Sequence, residues 1–314
     1  MDESSKLNRV IYRLSGEVLI AAWTSSTLVR ARHLAYRIQM TIPIAIDDPS
    51  DPRIVAYRAI RERDLIGREG LFIAEGEVVV RMLLTRSIHP PVSLLVAEKR
   101  VAALSGLIAG LSHEVPVFAA SQAVMDQVAG FPMHRGILAV GRYGATPTVD
   151  ALLAGGGPRA TVVVLFGIAN HDNMGGIFRN AAAFGASAVI LDSDCCDPLY
   201  RKAIRVSVGA ALTVPFARLG RGEDALALLS AHGFAAVALS PGGASLLTEF
   251  RPPDRVAVLF GTEGLGLPQH ILARVPSVRI PMAGELDSLN VATASGIVLH
   301  HVVGVPAGTS CLVP

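Results

Sequence analysis

The chain has 314 residues, of which 51% are apolar and 17% charged. That length suits about two domains, and the composition excludes a disordered chain or a fibre. A formal net charge of +2 gives no strong overall field toward nucleic acid, so any such affinity must come from local basic clusters.

Three cysteines exclude a disulfide-stapled scaffold: Cys195 and Cys196 are adjacent, and Cys311 is nearly terminal. No CxxC pair exists to build a structural zinc site, and no metal is expected. No apolar run reaches the roughly 18–20 residues of a membrane span. Residues 18–23 are too few, and residues 289–305 are interrupted by Asn290, Thr293, Ser295, His300 and His301. The N-terminus carries Asp2 and Glu3 and lacks a signal-peptide layout, so a cytoplasmic location is expected.

Residues 1–45 match nothing that follows in pattern. Met40 opens a stretch that leads directly into regular structure, so the true start is expected downstream of Met1. From Asp51 the chain alternates. Pro52 marks a helix start, with Ile54, Tyr57, Ile60 and Leu65 at roughly helical spacing. A strand over 71–74 precedes a helix over 77–84, and a strand over 93–97 precedes a helix over 101–111. A strand over 115–119 leads to Ser121 as N-cap of a helix over 123–128, and a strand over 137–141 closes the series. This alternation predicts a small α/β layer domain over 46–143. Residues 144–159, GATPTVDALLAGGGPR, carry two prolines and four glycines and read as a linker.

A second α/β domain is predicted over 160–314. The run TVVVLF over 161–166 has the β-branched continuity of a central parallel strand buried on both faces. A polar loop and a helix over 174–184 follow, with Gly185 as its stop. Further strands are predicted over 188–191, 214–216, 235–239, 256–260 and 278–280, and a last helix over 289–303.

Strand, loop, helix, strand and then Asp192 mimics a dinucleotide-binding unit with its ribose-binding acid. The loop from Gly167 to Gly176 lacks the G-x-G-x-x-G spacing that lets backbone approach a pyrophosphate, and no Walker A pattern exists. Three other segments carry candidate chemistry. In the first, Asn170 to Gly185, Asn173 can cap the helix. Arg179 lies beside Gly175 and Ala182, whose small size lets a guanidinium reach a cleft; the alternative is a solvated surface arginine. In the second, 259–268, the chain turns through Gly261, Gly264, Gly266 and Pro268 at the end of a strand, where open sheets bind ligands. Glu263 is either a lone carboxylate in that crevice or an exposed acid on a tight turn. In the third, 280–296, Asp287 or Ser288 can cap the last helix, and Asn290 falls in its first turn near the positive end.

Taken in order, these segments resemble the three signature motifs of the SpoU (TrmH-like) branch of the SPOUT RNA methyltransferases. The likeness runs N-x-G-x-x-x-R-x-A-x-x-F-G from Asn173, L-F-G-x-E-G-x-G-L from Leu259, and I-P-M-x-G-x-x-x-S-L-N-V-A from Ile280. It covers about residues 160–305. A looser likeness joins Arg68 to Gly76 and His134 to Ala139 with the small, L30e-like substrate-binding domain of that family.

The resemblance implies an open parallel α/β sheet with a deep trefoil knot, a homodimer, and S-adenosylmethionine as cofactor. Gly261, Ile280 and Leu289 match the positions that contact the cofactor. Asn173, Arg179, Glu263, Ser288 and Asn290 match the family's polar catalytic positions. The implied reaction is methyl transfer to a ribose 2′-hydroxyl of tRNA or rRNA. Arg179 then serves either as a base or as a charge that stabilises the developing oxyanion. The second role is preferred, because arginine holds its proton above about pH 12. For RNA contact, Arg201, Lys202 and Arg205 form the densest basic cluster of the second domain, with Arg201 and Arg205 on one helix face. Arg58, Arg61, Arg63 and Arg68 form another, diluted by Glu62 and Asp64. The competing readings are a Rossmann-type oxidoreductase and an RNA-binding protein without catalysis.

Overall fold

The computed structural model describes residues 9–14, 17–22, 42–58, 69–130, 132–133, 135–283 and 288–304. Strands β1 (Arg9–Leu14) and β2 (Glu17–Ala22) pair antiparallel. The chain divides into two compact units, one of Met1–Leu84 with Pro90–Arg142 and one of Thr85–His89 with Tyr143–Pro314.

In the first unit, Asp51 caps a 3-10 turn over Pro52–Tyr57 by accepting the Arg53 amide at 2.8 Å. The helical spacing expected to run on to Ile60 and Leu65 falls outside the described residues. Strands β3 (Ile44–Ile46), β4 (Leu71–Glu75), β5 (Pro91–Ala97), β6 (Val117–Ala120) and β7 (Ile137–Arg142) form a sheet in the order β3-β6-β5-β7-β4. The pairs β3/β6 and β5/β6 are parallel, and β4/β7 and β5/β7 antiparallel. Helices α1 (Glu77–Thr85), α2 (Glu98–Val101), α3 (Ser105–Ala109) and α4 (Gln122–Ala129) complete the unit. The single helix expected over 101–111 is two short ones. Leu104 between them leaves helical geometry, in a stretch where Ser105, Gly106 and Gly110 weaken the helix. Ser121 caps α4 as expected, accepting the Val124 amide at 3.3 Å.

The second unit is built on seven parallel strands: β8 (Ala160–Leu165), β9 (Ala188–Leu191), β10 (Phe216–Arg218), β11 (Ala235–Leu239), β12 (Ser245–Leu246), β13 (Arg255–Phe260) and β14 (Ser277–Arg279). Their order is β10-β9-β8-β13-β11-β14-β12, every pair parallel. The chain steps outward from β8 to β10, then crosses to fill the other half of the sheet. The central strands β8 and β13 are almost wholly buried, as their β-branched runs require.

Residues 144–159, read from composition as a linker, instead carry helix α5 (Val149–Ala154), which lies against β9 and β10 and puts Val149 and Leu153 into the buried core. Thr148 caps it by accepting the Ala151 amide at 3.1 Å. Arg255 fastens its far end. The guanidinium donates to the carbonyls of Leu153 at 2.9 Å, Gly156 at 2.9 Å and Gly157 at 2.5 Å, while lying 4.2 Å from the Phe234 ring centre. The remaining helices are α6 (His171–Ala183), α7 (Arg201–Val206), α8 (Ala225–Ala231), α9 (Gln269–Leu272) and α10 (Val291–Val303). Among the described residues no helix is long and apolar enough to cross a membrane.

The segment Thr85–His89 is held on this second unit. His89 is buried, its Nδ1 accepts the Gly144 amide at 3.0 Å, and its ring meets those of Tyr143 and Phe216. Burial pushes its pKa down to about 4. A histidine whose folded pKa lies below its unfolded value of about 6.5 binds its proton first in the unfolded chain. Its contribution to stability is therefore complete above about pH 6.5 and is lost as pH falls toward 4. We expect unfolding by urea, followed by circular dichroism, to give a stability about 2 kcal/mol lower at pH 5 than at pH 7.5 from this group. His89→Gln should flatten that dependence; an unchanged slope in the variant would contradict it.

Candidate functional site

Helix α6 begins at an asparagine cap, but the cap is Asn170 rather than Asn173. The Asn170 carboxamide oxygen accepts the amides of Asp172 at 2.8 Å and Asn173 at 3.3 Å. This starts the helix at His171, three residues before the expected Met174, and turns Asn173 inward. Asn173 is 6% exposed, and its Nδ2 donates to Glu263 Oε1 at 2.7 Å. Helix α10, by contrast, begins later than expected. Its cap is Asn290, whose Oδ1 accepts the amides of Ala292 at 3.0 Å and Thr293 at 3.3 Å. Asn290 therefore precedes the first turn, and Asp287, the other expected cap, lies outside the described residues.

The Asn290 Nδ2 uses both of its hydrogens. One goes to Asn173 Oδ1 at 2.8 Å and the other to Glu263 Oε1 at 2.8 Å. Every polar atom of both asparagine side chains is thereby engaged, which fixes the orientation of the two carboxamides. Glu263 Oε1 accepts two hydrogen bonds, while Oε2 makes none with any described residue. Two helix N-termini thus converge on one carboxylate, an arrangement that suits a negative charge.

The loop carrying Glu263 is a tight reversal. Thr262 and Gly266 exchange backbone hydrogen bonds at 3.2 and 3.0 Å. A Cβ on Gly261 would stand 2.2–2.3 Å from the Gly266–Leu267 backbone, so only glycine lets the loop close. The sequence reading gave Gly261 a ligand to approach; its nearest neighbour is its own loop. Beside this loop lies a cleft of about 500 Å³, at the carboxyl ends of β11, β13 and β14. Gly261, Ile280 and Leu289 line it together, with Glu263, Ser288 and Asn290 along its polar edge. Apolar walls from Leu267, Leu272, Met282 and Val291 give it the size and character of a nucleoside-sized site.

Arg179 does not join the cluster. It is exposed on α6 and makes no hydrogen bond or ion pair with any described residue. Of the expected RNA contacts, Lys202 pairs with Asp172 at 2.6 Å, Arg205 is exposed and Arg201 is half-buried. One residue the sequence reading passed over is Asn180, next to Arg179. Its Nδ2 donates to the Ala292 carbonyl at 2.7 Å and to Ser295 Oγ at 2.9 Å, joining α6 to α10. Its signal was a polar residue opposite the small Ser295 and Gly296 of the last helix.

Asp192, the would-be ribose acid, is occupied locally. Its carboxylate accepts the amides of Gly167 at 2.9 Å, Asp194 at 3.0 Å and Cys195 at 2.9 Å. That use works against the oxidoreductase reading. Burial pushes the Cys195 thiol up to about 12 and the Cys196 thiol up to about 11, which leaves both protonated and unreactive at neutral pH. Among the described residues no group of His, Cys, Asp and Glu side chains could hold a metal ion.

A sequence profile of the SpoU rRNA Methylase family matches residues 160–300. An uncharacterized tRNA/rRNA methyltransferase of Mycobacterium bovis is 42% identical over 265 residues, 81% of this chain and 89% of the relative. The chain belongs to the SpoU methylase family. Its structural neighbours agree. An AdoMet-bound rRNA methyltransferase from Sinorhizobium meliloti superposes with a TM-score of 0.68 at 25% identity, over 82% of this chain and 97% of that one. An RNA 2′-O ribose methyltransferase superposes with a TM-score of 0.67 at 25% identity, over 83% of this chain and 98% of that one. The SpoU match thus covers the part of the second unit that carries the cleft and Asn173, Glu263 and Asn290.

Asn290 carries two duties, cap and brace. Asn290→Ala should lower stability by about 2 kcal/mol, as both are lost. Asn290→Ser keeps a capping oxygen and should recover about half of that in urea unfolding. Equal losses for the two variants would show that the cap contributes nothing.

Proposed function

We propose that this chain transfers a methyl group from S-adenosylmethionine to a ribose 2′-hydroxyl of structured RNA, tRNA or rRNA. The observation that carries this reading is the Asn173–Glu263–Asn290 cluster at the polar edge of the cleft that Gly261, Ile280 and Leu289 line. The cofactor fits the residues present. The cleft is apolar along one side, for an adenine ring, and open to backbone at Gly261 and Ile280. S-adenosylmethionine, when bound, supplies a methyl group already activated by the sulfonium charge, so no metal is required.

The chain's own residues do the rest. Glu263 is fixed by two donors on one oxygen and keeps Oε2 available to accept a hydrogen bond from a ribose hydroxyl or a guanidinium. Ser288 stands on the same edge and offers a hydroxyl to the incoming ribose or phosphate. Arg179 brings its charge to the oxyanion that develops on O2′, or to the adjacent phosphate. The absence of any competing partner for its guanidinium among the described residues suits a group that waits for substrate. Alignment of the hydroxyl with the methyl group contributes the remaining acceleration.

The wider reading follows the family resemblance. The methyltransferase domain, about 160–314, lies in the second unit, its sheet threaded into a trefoil knot. The first, about 46–143, is an L30e-like domain that selects the RNA. Two chains form a homodimer with each active site near the interface, and the enzyme works in the cytoplasm. Arg201, Lys202 and Arg205 contact phosphates, Lys202 after giving up Asp172.

The experiment is transfer of tritiated methyl groups to RNA from a strain lacking the enzyme. Arg179→Ala should lower incorporation about 100-fold or more while the heat of S-adenosylmethionine binding stays unchanged. Undiminished incorporation would remove Arg179 from the mechanism.

A further inference from the structure

Three segments of the first unit converge at one end of its sheet. The turn from β4 into α1 passes through Gly76, whose amide donates to the Ile137 carbonyl at 3.2 Å. The entry to β7 passes through Arg135 and Gly136, and the Gly136 carbonyl accepts the Ala97 amide at 2.9 Å, just before α2. Gly76 sits at φ +90° beneath the Arg135 side chain, and a Cβ there would lie 2.9 Å from Arg135 Nη1. The positive φ demands glycine here, and the Arg135 guanidinium lies across the start of a nine-residue helix.

Two more arginines flank it. Arg100 donates from Nη1 to the Arg135 carbonyl at 3.0 Å and from Nη2 to Glu77 Oε2 at 2.7 Å. Arg81 reaches the other oxygen, Glu77 Oε1, at 2.9 Å. Hydrogen bonds from Arg81, with Arg100 adding to them, hold the Glu77 carboxyl below its usual range, so it is ionised and braces both side chains. Two guanidinium groups therefore share one carboxylate, beside the Arg135 backbone that Arg100 also holds. Glu98 and Lys99, exposed at the start of α2, offset each other. Arg135 itself is exposed, and its guanidinium makes no hydrogen bond or ion pair with any described residue. Planar guanidiniums held in place by a shared partner lose little freedom on meeting a second anion, and their fork matches a phosphate.

We propose that Arg135, with Arg100 and Arg81 braced on Glu77, is a phosphate-binding site for the RNA backbone on the first unit. The site rests on the reading of the chain as an RNA methyltransferase and is separate from the basic cluster on α7. It contacts phosphate rather than base edges, so it contributes affinity and register to any RNA the enzyme engages, without choosing the sequence.

The test uses the full chain and fluorescein-labelled bulk tRNA, with affinity measured by anisotropy across a salt series. Arg135→Ala should weaken binding and reduce the slope of log affinity against log salt by about one, the signature of one lost phosphate contact. Arg135→Glu should weaken binding about tenfold or more, and Arg135→Lys should retain most of the affinity. Calorimetric heat with S-adenosylmethionine reports the other unit and should be unaltered in all three. Unchanged RNA affinity and salt slope in Arg135→Ala and Arg135→Glu, with cofactor heat intact, would overturn this site and leave the enzyme reading standing. A wild-type chain that binds neither tRNA nor cofactor would overturn the enzyme reading itself.

Discussion

One carboxylate oxygen joins the three parts of the candidate site. Glu263 Oε1 takes a hydrogen from Asn173 and another from Asn290, and the two asparagines bond to each other. Asn173 stands in the first turn of α6, Asn290 caps α10, and Glu263 sits on the turn after β13. A loop, two helix starts and a strand end are thus registered by three short contacts between side chains with few rotatable bonds. Moving any one member breaks two of these hydrogen bonds, each worth about 0.5–1.5 kcal/mol. The remaining free oxygen of Glu263 faces outward from this junction with its direction already set.

The sheet explains why the junction lies beside a cleft. β13 is inserted between β8 and β11, so its carboxyl end emerges at the centre of the sheet, where strand order steps outward to β9 and β10 on one side and to β11, β14 and β12 on the other. Crevices form at such switch points because the loops on either side diverge. Here the loops after β11, β13 and β14 wall the space, and α10 closes one side with Asn290 and Val291 at its start. The close approach of α6 to α10, with Gly176 against Ala292 and Asn180 bonded across to Ser295, brings the asparagines within reach of each other.

Much of this was legible in the residues. Continuous β-branched runs marked β8 and β13, since a strand buried on both faces has no polar side. The motif residues were legible as a set because their spacing places each at a strand end or a helix start. Their pairwise contacts were not. Whether Asn170 or Asn173 caps α6 depends on which side chain reaches back to the N–H groups, and either fits the local sequence. Asn290 had the same ambiguity with Ser288. Helix α5 was hidden by its glycine-rich surroundings, and its anchor, Arg255, lies about a hundred residues away. Strand order was equally out of reach, because insertion of β13 beside β8 is a long-range pairing with no local signature. Arg179 is exposed on α6, and the cluster it was expected to join forms without it.

The most direct measurement is calorimetric titration of the full chain with S-adenosylhomocysteine, with and without RNA. The account predicts saturable heat at one cofactor site per chain, and weaker binding when Leu289 is replaced by a charged residue at the cleft wall. Absence of heat under both conditions, from folded protein, would contradict the assignment of the cleft and the mechanism built upon it.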